Sequence, residues 1–252
     1  MILSGKKVLV TGHTGFIGKM LVEELKKQGN KVLTMEETDG NILDIRDWNK
    51  IKQWRNKVET IDLIYHLAAI TFVPYSFENP RQTYEVNVLG TLNVLELCRL
   101  YAVKRMVFSS GYIYGYPKYL PIDEQHPMNP INPYARSKEL GERFCKAYHE
   151  DYGLNCTILR LFNIYGEGQR KQFLIPSILS QLPNEKIELM DSKPKRDFLY
   201  VRDAIAAFLS AGAYDNSKFE IFNIGSGISY SVAEVTSKIL NLCGRIPVTY
   251  TS

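Results

Sequence analysis

A tyrosine standing four residues before a lysine on a helix puts a phenol and an ammonium on one face. Three such pairs occur among the 16 tyrosines: Tyr114/Lys118, Tyr134/Lys138 and Tyr214/Lys218. Pro117 interrupts the first and Asp-Asn-Ser the third, so neither reads as helical. Tyr134/Lys138 follows Asn132–Pro133 and lies on a helical segment. A tyrosine placed in this way can move a proton while hydride leaves carbon. Working near pH 7 requires a shift of about 3 units from a free phenol near 10, roughly 4 kcal/mol. A neighbouring ammonium favours the phenolate. A hydroxyl at the end of VFSSGYIYG is needed to hold the substrate oxygen, and Ser109 and Ser110 are the candidates.

Hydride needs a carrier. KVLVTGHTGFIGKML places Gly12, Gly15 and Gly18 after a strand and at the opening of a helix. The first glycine permits the tight turn, the second lets backbone approach a pyrophosphate, and the third allows close helix–strand packing. The anion then sits on unpaired N–H groups at the positive end of the helix dipole. A dinucleotide site also needs an acidic residue about 20 positions on, for the ribose hydroxyls. Glu36 in VLTMEE stands there, with Glu37 beside it. A carboxylate repels a 2′-phosphate and no arginine is adjacent, so NAD is favoured over NADP; its positive nicotinamide would further favour the phenolate.

These groups need a frame. Strands are expected at Lys7–Thr11, Lys31–Met35, Leu63–Leu67, Arg105–Ser109 and Asn155–Arg160, alternating with helices at Gly15–Gln28, Thr83–Tyr101 and Pro133–Asp151. The alternation implies an α/β protein with a parallel sheet covered on both faces. Past Leu161 the pattern loosens. Helices remain at Val201–Ala213 and at Ser231–Leu242, the latter with Ser231 as N-cap and Glu234 in the capping-box position. This part is expected to form a small lobe at the carboxyl ends of the strands, where open α/β sheets bind ligands.

Composition removes other classes. The 252 residues are 45% hydrophobic and 23% charged, which excludes a disordered, collagenous or low-complexity chain. The net charge of +4 is scattered, with no basic block that would mark a nucleic-acid arm. Cys98, Cys145, Cys156 and Cys243 lack C-x-x-C spacing and read as buried thiols of a reducing compartment. The four histidines are too dispersed for a metal site. No signal peptide or apolar run of roughly 18–20 residues is present, so a cytoplasmic protein without a membrane partner is expected.

Thr11-Gly-His-Thr-Gly-Phe-Ile-Gly18, Tyr65-His-Leu-Ala-Ala69, Val86-Asn87, Ser109-Ser110 before Tyr114-Gly115, and Tyr134-Ala-Arg-Ser-Lys138 together resemble the extended short-chain dehydrogenase/reductases. Arg160-Leu-Phe-Asn-Ile-Tyr-Gly166 and Arg196-Asp-Phe-Leu-Tyr-Val-Arg-Asp203 resemble substrate-lobe motifs of the nucleotide-sugar epimerase/dehydratase branch. The resemblance implies a Rossmann-type doubly wound sheet over residues 1–161 and a small C-terminal substrate lobe over 162–252, with some segments returning to the main sheet. Relatives generally continue past the position of Ser252, so an incomplete lobe is expected.

That resemblance also implies roles. The glycine turn with Phe16 and Ile17 would hold the NAD pyrophosphate. Asp44 and Ile45 would flank the adenine, although the interval from Glu36 is short. Leu67, Ala68 and Ala69 would line the nicotinamide, with Asn87 behind it. Lys138 would bind the nicotinamide ribose and lower the Tyr134 pKa. Ser110 would be the catalytic hydroxyl, and Asn163 and Arg196 would contact the diphosphate or nucleotide end of a nucleotide-diphosphate sugar. Dehydratases of this kind carry acidic side chains where Gly111 and Tyr112 stand, and decarboxylating relatives use a glutamate at the position of Tyr112. A 4-epimerase acting through a transient 4-keto sugar is therefore expected, ahead of a 4-keto reductase, a dehydratase or a non-catalytic NAD-sensing protein. A homodimer through the helices at Thr83–Tyr101 and Pro133–Asp151 is the family's usual assembly.

Overall fold

The computed structural model describes residues 3–37, 39–58, 60–184, 186–214, 218–243 and 248–250. The interval of the Tyr214/Lys218 pair, and the chain end at Ser252, lie outside the described residues.

The chain divides into two compact units, one of Met1–Leu161 with Ile205–Asn223, the other of Phe162–Ala204 with Ile224–Ser252. In the first unit, strands β1 (Lys7–Thr11), β2 (Lys31–Leu33), β3 (Leu63–His66), β4 (Arg105–Gly111), β5 (Asn155–Leu161) and, later, β9 (Phe219–Ile224) form one sheet. Its order is β2-β1-β3-β4-β5-β9, and β1 to β5 pair parallel. The order reverses between β1 and β3, the switch point at which an α/β sheet opens a crevice beyond its carboxyl ends. The central strands are buried almost throughout, as strands covered on both faces are.

Helix α1 (Phe16–Lys27) follows β1 and buries Gly18, Leu21 and Leu25 on one face. Each leucine so buried contributes about 1.5–3 kcal/mol. Helix α2 (Trp48–Arg55) and helix α3 (Val73–Glu78) flank β3 in the chain. The long helix expected from Thr83 begins earlier and is not uniform: α4 (Pro80–Tyr84) and α5 (Gly90–Leu100) are joined by a π-helical turn, Glu85–Leu89. Such turns insert one residue into the ladder and recur at functional sites. Asn87 is buried inside this one.

Helix α6 (Pro133–Tyr152) packs on β4 and β5. The Asn132 side chain accepts from Ala135 N at 2.8 Å, and Ser76 Oγ accepts the Tyr134 N–H at 3.3 Å. Two donors that a helix start leaves without intrahelical partners are thereby satisfied. Strand β2 stops at Leu33 rather than Met35, because the chain turns back: Leu43 N donates to Met35 O, and Glu36 bridges Ile42.

The second unit has its own core of Ile178, Ile187, Leu189, Val232 and Val235. Strand β6 (Asn163–Tyr165), helix α7 (Leu174–Gln181), strands β7 (Ile187–Leu189) and β8 (Lys195–Tyr200), then β10 (Ser229–Ser231), α9 (Val232–Cys243) and β11 (Val248–Tyr250) build it. Helix α8 (Val201–Ala213) starts in this unit and ends in the first. The capping box forms at α9: Ser231 N donates to Glu234 Oε2 at 2.7 Å and Glu234 N to Ser231 Oγ at 3.1 Å. No helix among the described residues is long and apolar enough to cross a membrane.

Candidate active site

The glycine turn is shaped by contacts that exclude side chains. Gly12 has φ +71°, and a Cβ on it would lie 2.7 Å from Ala68 N. A Cβ on Gly18 would lie 2.1 Å from Gly12 O, so the turn closes directly onto the first turn of α1. Gly15 caps that helix with no side chain on its free N–H groups. The result is a bare backbone cradle with a positive dipole end, the shape a pyrophosphate needs. An apolar cleft beside it is lined by His13, Ile42, Asp44, Ile45, Ala68 and Val86, among others. These features fit a dinucleotide.

Around the cradle the expected residues fall as follows. Glu36 is exposed beside the turn, where its Oε1 accepts from Thr34 Oγ1 at 2.9 Å and lies 3.2 Å from His13 Nε2. Phe16 and Ile17 are half-buried in the first turn of α1, and Leu67, Ala68 and Ala69 are half-buried just past β3. The Arg46 guanidinium holds the Asp44 carboxyl below the usual carboxylate range through hydrogen bonds of 2.9 and 3.0 Å. Ile45 belongs to the core, packed so closely against Gly90 that a Cβ there would lie 2.4 Å from its Cδ1. Asn87 spends both N–H groups inside the protein, on Ile70 O at 2.9 Å and Ser137 Oγ at 2.8 Å, while its Oδ1 accepts from Ile70 N. Its side chain thus ties the segment after β3 to helix α6 and has no N–H left for a ligand.

At the end of β4, Ser110 is 3% exposed and its Oγ has no hydrogen-bond partner among the described residues. A buried hydroxyl left unpaired costs about 1–3 kcal/mol, so its retention calls for a partner from outside the chain. Lys138 lies on α6 one turn after Tyr134. Its Nζ donates to Ser109 O at 2.8 Å and sits 4.9 Å from the Phe108 ring centroid. Helix α6 is thereby tied to β4 one residue from Ser110. Burial lowers the Lys138 pKa to about 8.

Tyr134 is 8% exposed. Burial pushes its phenol above the ordinary value, and the neighbouring Tyr112 pushes in the same direction. The lowering expected from Lys138 is therefore absent in the polypeptide itself: desolvation dominates, and the ammonium is held by the Ser109 carbonyl. Tyr112 sits edge-on to Tyr134 at 6.1 Å between centroids, with φ +63°, a left-handed conformation uncommon for a non-glycine residue. Gly111 has no room for a side chain, since a Cβ would lie 2.7 Å from Leu161 O. The other described tyrosine–lysine pair is set aside by the fold. Tyr114 is not helical, and its hydroxyl donates to Asn223 Oδ1 at 2.6 Å and accepts from Arg160 Nη1 at 2.8 Å.

In the second unit, Asn163 Nδ2 donates to Asp197 O at 3.0 Å, and Asn163 is the register partner of Phe198 on β8. Arg196 is exposed two residues before Phe198 and so shares its face of the strand. The residues missed in the sequence reading are polar ones: Thr11, His66 and Thr91, joined by hydrogen bonds, and Ser137, which accepts from Asn87. Only the resemblance of the Tyr65–Ala69 motif drew notice to His66; nothing in its type or spacing marked it.

Residues 8–225 match the NAD dependent epimerase/dehydratase family. A protein of Methanocaldococcus jannaschii, named by inference as a UDP-glucose 4-epimerase, is 38% identical over 250 residues, spanning 90% of this chain and 79% of its own. The structure of a Thermotoga maritima UDP-glucose 4-epimerase with UDP-glucose superposes with a TM-score of 0.88 at 29% identity, over 97% of this chain and 85% of that one. A Thermus thermophilus UDP-glucose 4-epimerase in complex with NAD gives 0.83 at 31%, over 96% and 85%. The bare glycine cradle and the Ser110/Tyr134/Lys138 cluster thus occur in an enzyme that belongs to the NAD-dependent epimerase/dehydratase family, with NAD as its cofactor.

Proposed function

We propose that this enzyme is a nucleotide-sugar 4-epimerase that works through a transient 4-keto sugar. The observation that carries the reading is the partnerless Ser110 hydroxyl at the strand end to which Lys138 ties the Tyr134 helix. Ser110 donates to the sugar O4 and holds it beside the Tyr134 phenol. Tyr134 takes the O4 proton as the carbon is oxidised and returns it as the carbon is reduced on the opposite face. NAD supplies the reversible hydride acceptor for this exchange. The buried Lys138 ammonium supports the ribose side of the cofactor and steadies the phenolate as it forms.

The glycine turn with Phe16 and Ile17 holds the pyrophosphate, Glu36 the adenosine ribose, and Asp44 with Ile45 the adenine edge. Leu67, Ala68 and Ala69 form the apolar wall for the nicotinamide. Asn163 and Arg196 contact the diphosphate or nucleotide end of the substrate. Elimination needs a side-chain acid beside the reacting carbons. Gly111 offers no side chain and no space for one, and Tyr112 is not a carboxylate. Epimerisation needs neither. Two copies associate through the helices of residues 83–101 and 133–151, a reading supported only by the family's usual assembly.

The test is incubation of the protein with UDP-, GDP-, dTDP- and CDP-hexoses, read by mass and chromatography. A UDP-hexose is expected to give its 4-epimer with no mass change and no net NADH release. Loss of water would identify a dehydratase, gain of two hydrogens with added NAD(P)H a reductase, and no turnover on any sugar would overturn the reading.

A further inference from the structure

Behind the site lies a run of buried polar side chains that the proposed reaction does not use. His66, 1% exposed at the end of β3, has Nδ1 2.7 Å from Thr11 Oγ1 and Nε2 2.9 Å from Thr91 Oγ1. Thr91 has one proton, and it goes to Asn87 O at 2.6 Å. Its oxygen can therefore only accept from His66, which places the imidazole proton on Nε2. The Nδ1 lone pair then accepts from Thr11, whose oxygen takes the Ala68 N–H at 3.2 Å. From Asn87 the run continues through Nδ2 to Ser137 Oγ, and Ser137 Oγ donates to Tyr134 O at 2.7 Å. Every proton in the run has one acceptor, and the direction is set throughout. Burial and the Lys138 ammonium push the imidazole pKa down to about 3, so the ring stays neutral in the working range.

We propose that His66 is a positioning residue: as the Nε2–H tautomer it links Thr11, at the base of the glycine turn, to Thr91 and onward through Asn87 and Ser137 to the first turn of the catalytic helix, holding the cofactor cradle in fixed relation to Tyr134 and Lys138. Thr11 and His66 are register partners on β1 and β3, the strands flanking the switch point. Thr91 opens α5 just after the π-helical turn, and Ser137 sits between the two catalytic residues. The imidazole is the group of this set that bridges the strand ends to the helices. Its kinetic consequences rest on the proposed reaction, but its tautomer and its effect on cofactor binding do not.

The experiment uses the full chain labelled with 15N-histidine, together with His66→Leu, His66→Gln and Thr91→Val. At pH 7 the His66 signals, assigned by their loss in His66→Gln, are expected to show a protonated Nε2 and an unprotonated Nδ1. His66→Leu is expected to weaken NADH affinity, read by fluorescence, and kcat by about tenfold each, since displacements well under 1 Å carry such factors. His66→Gln can still present an N–H to Thr91 and is expected to recover most of the kcat loss. Thr91→Val breaks only the arm toward the catalytic helix, so kcat falls a few-fold while NADH affinity stays within about twofold. An Nδ1–H tautomer, or leucine and glutamine variants that behave alike, would overturn the proposal. If His66→Leu does not fold, the NMR tautomer and the Thr91→Val split decide. NADH binding with the expected tautomer but no conversion of any nucleotide sugar would refute the proposed function and leave the positioning role standing.

Discussion

Two buried polar regions a few residues apart in the first unit are built on opposite rules. In the run from Thr11 through His66, Thr91, Asn87 and Ser137, each donor has its acceptor. Among Ser110, Tyr134 and Lys138, the Ser110 hydroxyl has no partner among the described residues, and burial pushes the phenol pKa up and the ammonium pKa down. A satisfied network is stiff, because any displacement breaks a bond that no water replaces. An unsatisfied cluster stores desolvation cost that a ligand can relieve. The fold thus keeps rigidity and reactivity in separate places, joined at the Tyr134 carbonyl.

The most severe test of the contrast is Tyr134→Phe. Removing the proposed proton carrier is expected to lower kcat by about a thousandfold while NADH affinity changes little. Retained turnover would place the chemistry elsewhere.

Lys138 gives the next largest effect, in stability against pH. Its folded pKa of about 8 lies below the usual lysine value of 10.5, so between the two the unfolded chain holds more protons. The cost of the buried ammonium is full below pH 8, diminishes as pH rises, and is gone above 10.5. Wild-type protein is expected to gain about 3 kcal/mol relative to Lys138→Met across that window, measured by urea unfolding. A pH-independent difference between the two would mean that the ammonium is not held dry.

Ser110→Ala and Thr91→Val set the two regions side by side. The first is expected to lower kcat about a hundredfold while leaving stability unchanged or raised by about 1 kcal/mol, because it deletes an unpaired group. The second lowers kcat only a few-fold but costs about 1–3 kcal/mol of stability, because it orphans its partners. Equal stability changes would erase the distinction. The smallest effect is expected at the rim: Glu36→Gln should narrow the preference for NAD over NADP about fivefold, read from cofactor titrations.

Much of this was legible before any coordinates. The strands β1 to β5, the helix opened by Asn132–Pro133, the Ser231/Glu234 box and the helical placement of Tyr134/Lys138 but not of Tyr114/Lys118 follow from neighbours in the chain, whereas β9 at the sheet edge was not legible there. The π-helical turn did not follow, since VNVLGTLNVLEL reads as ordinary helix and the partners of Asn87 inside the turn, Ile70 and Ser137, lie far along the chain. The Arg46 partnership of Asp44 was likewise unmarked, although the two stand only two residues apart.

By itself the sequence determined that a glycine turn lies between strand and helix and that a phenol and an ammonium share a helical face. Those properties depend on steric and periodic rules acting over a few residues. Only the tertiary structure decided the protonation states: Lys138 near 8, Tyr134 raised, His66 neutral with its proton on Nε2. They depend on desolvation and on partners such as Thr11 and His66, 55 positions apart, which only a parallel register across the switch point brings within 2.7 Å.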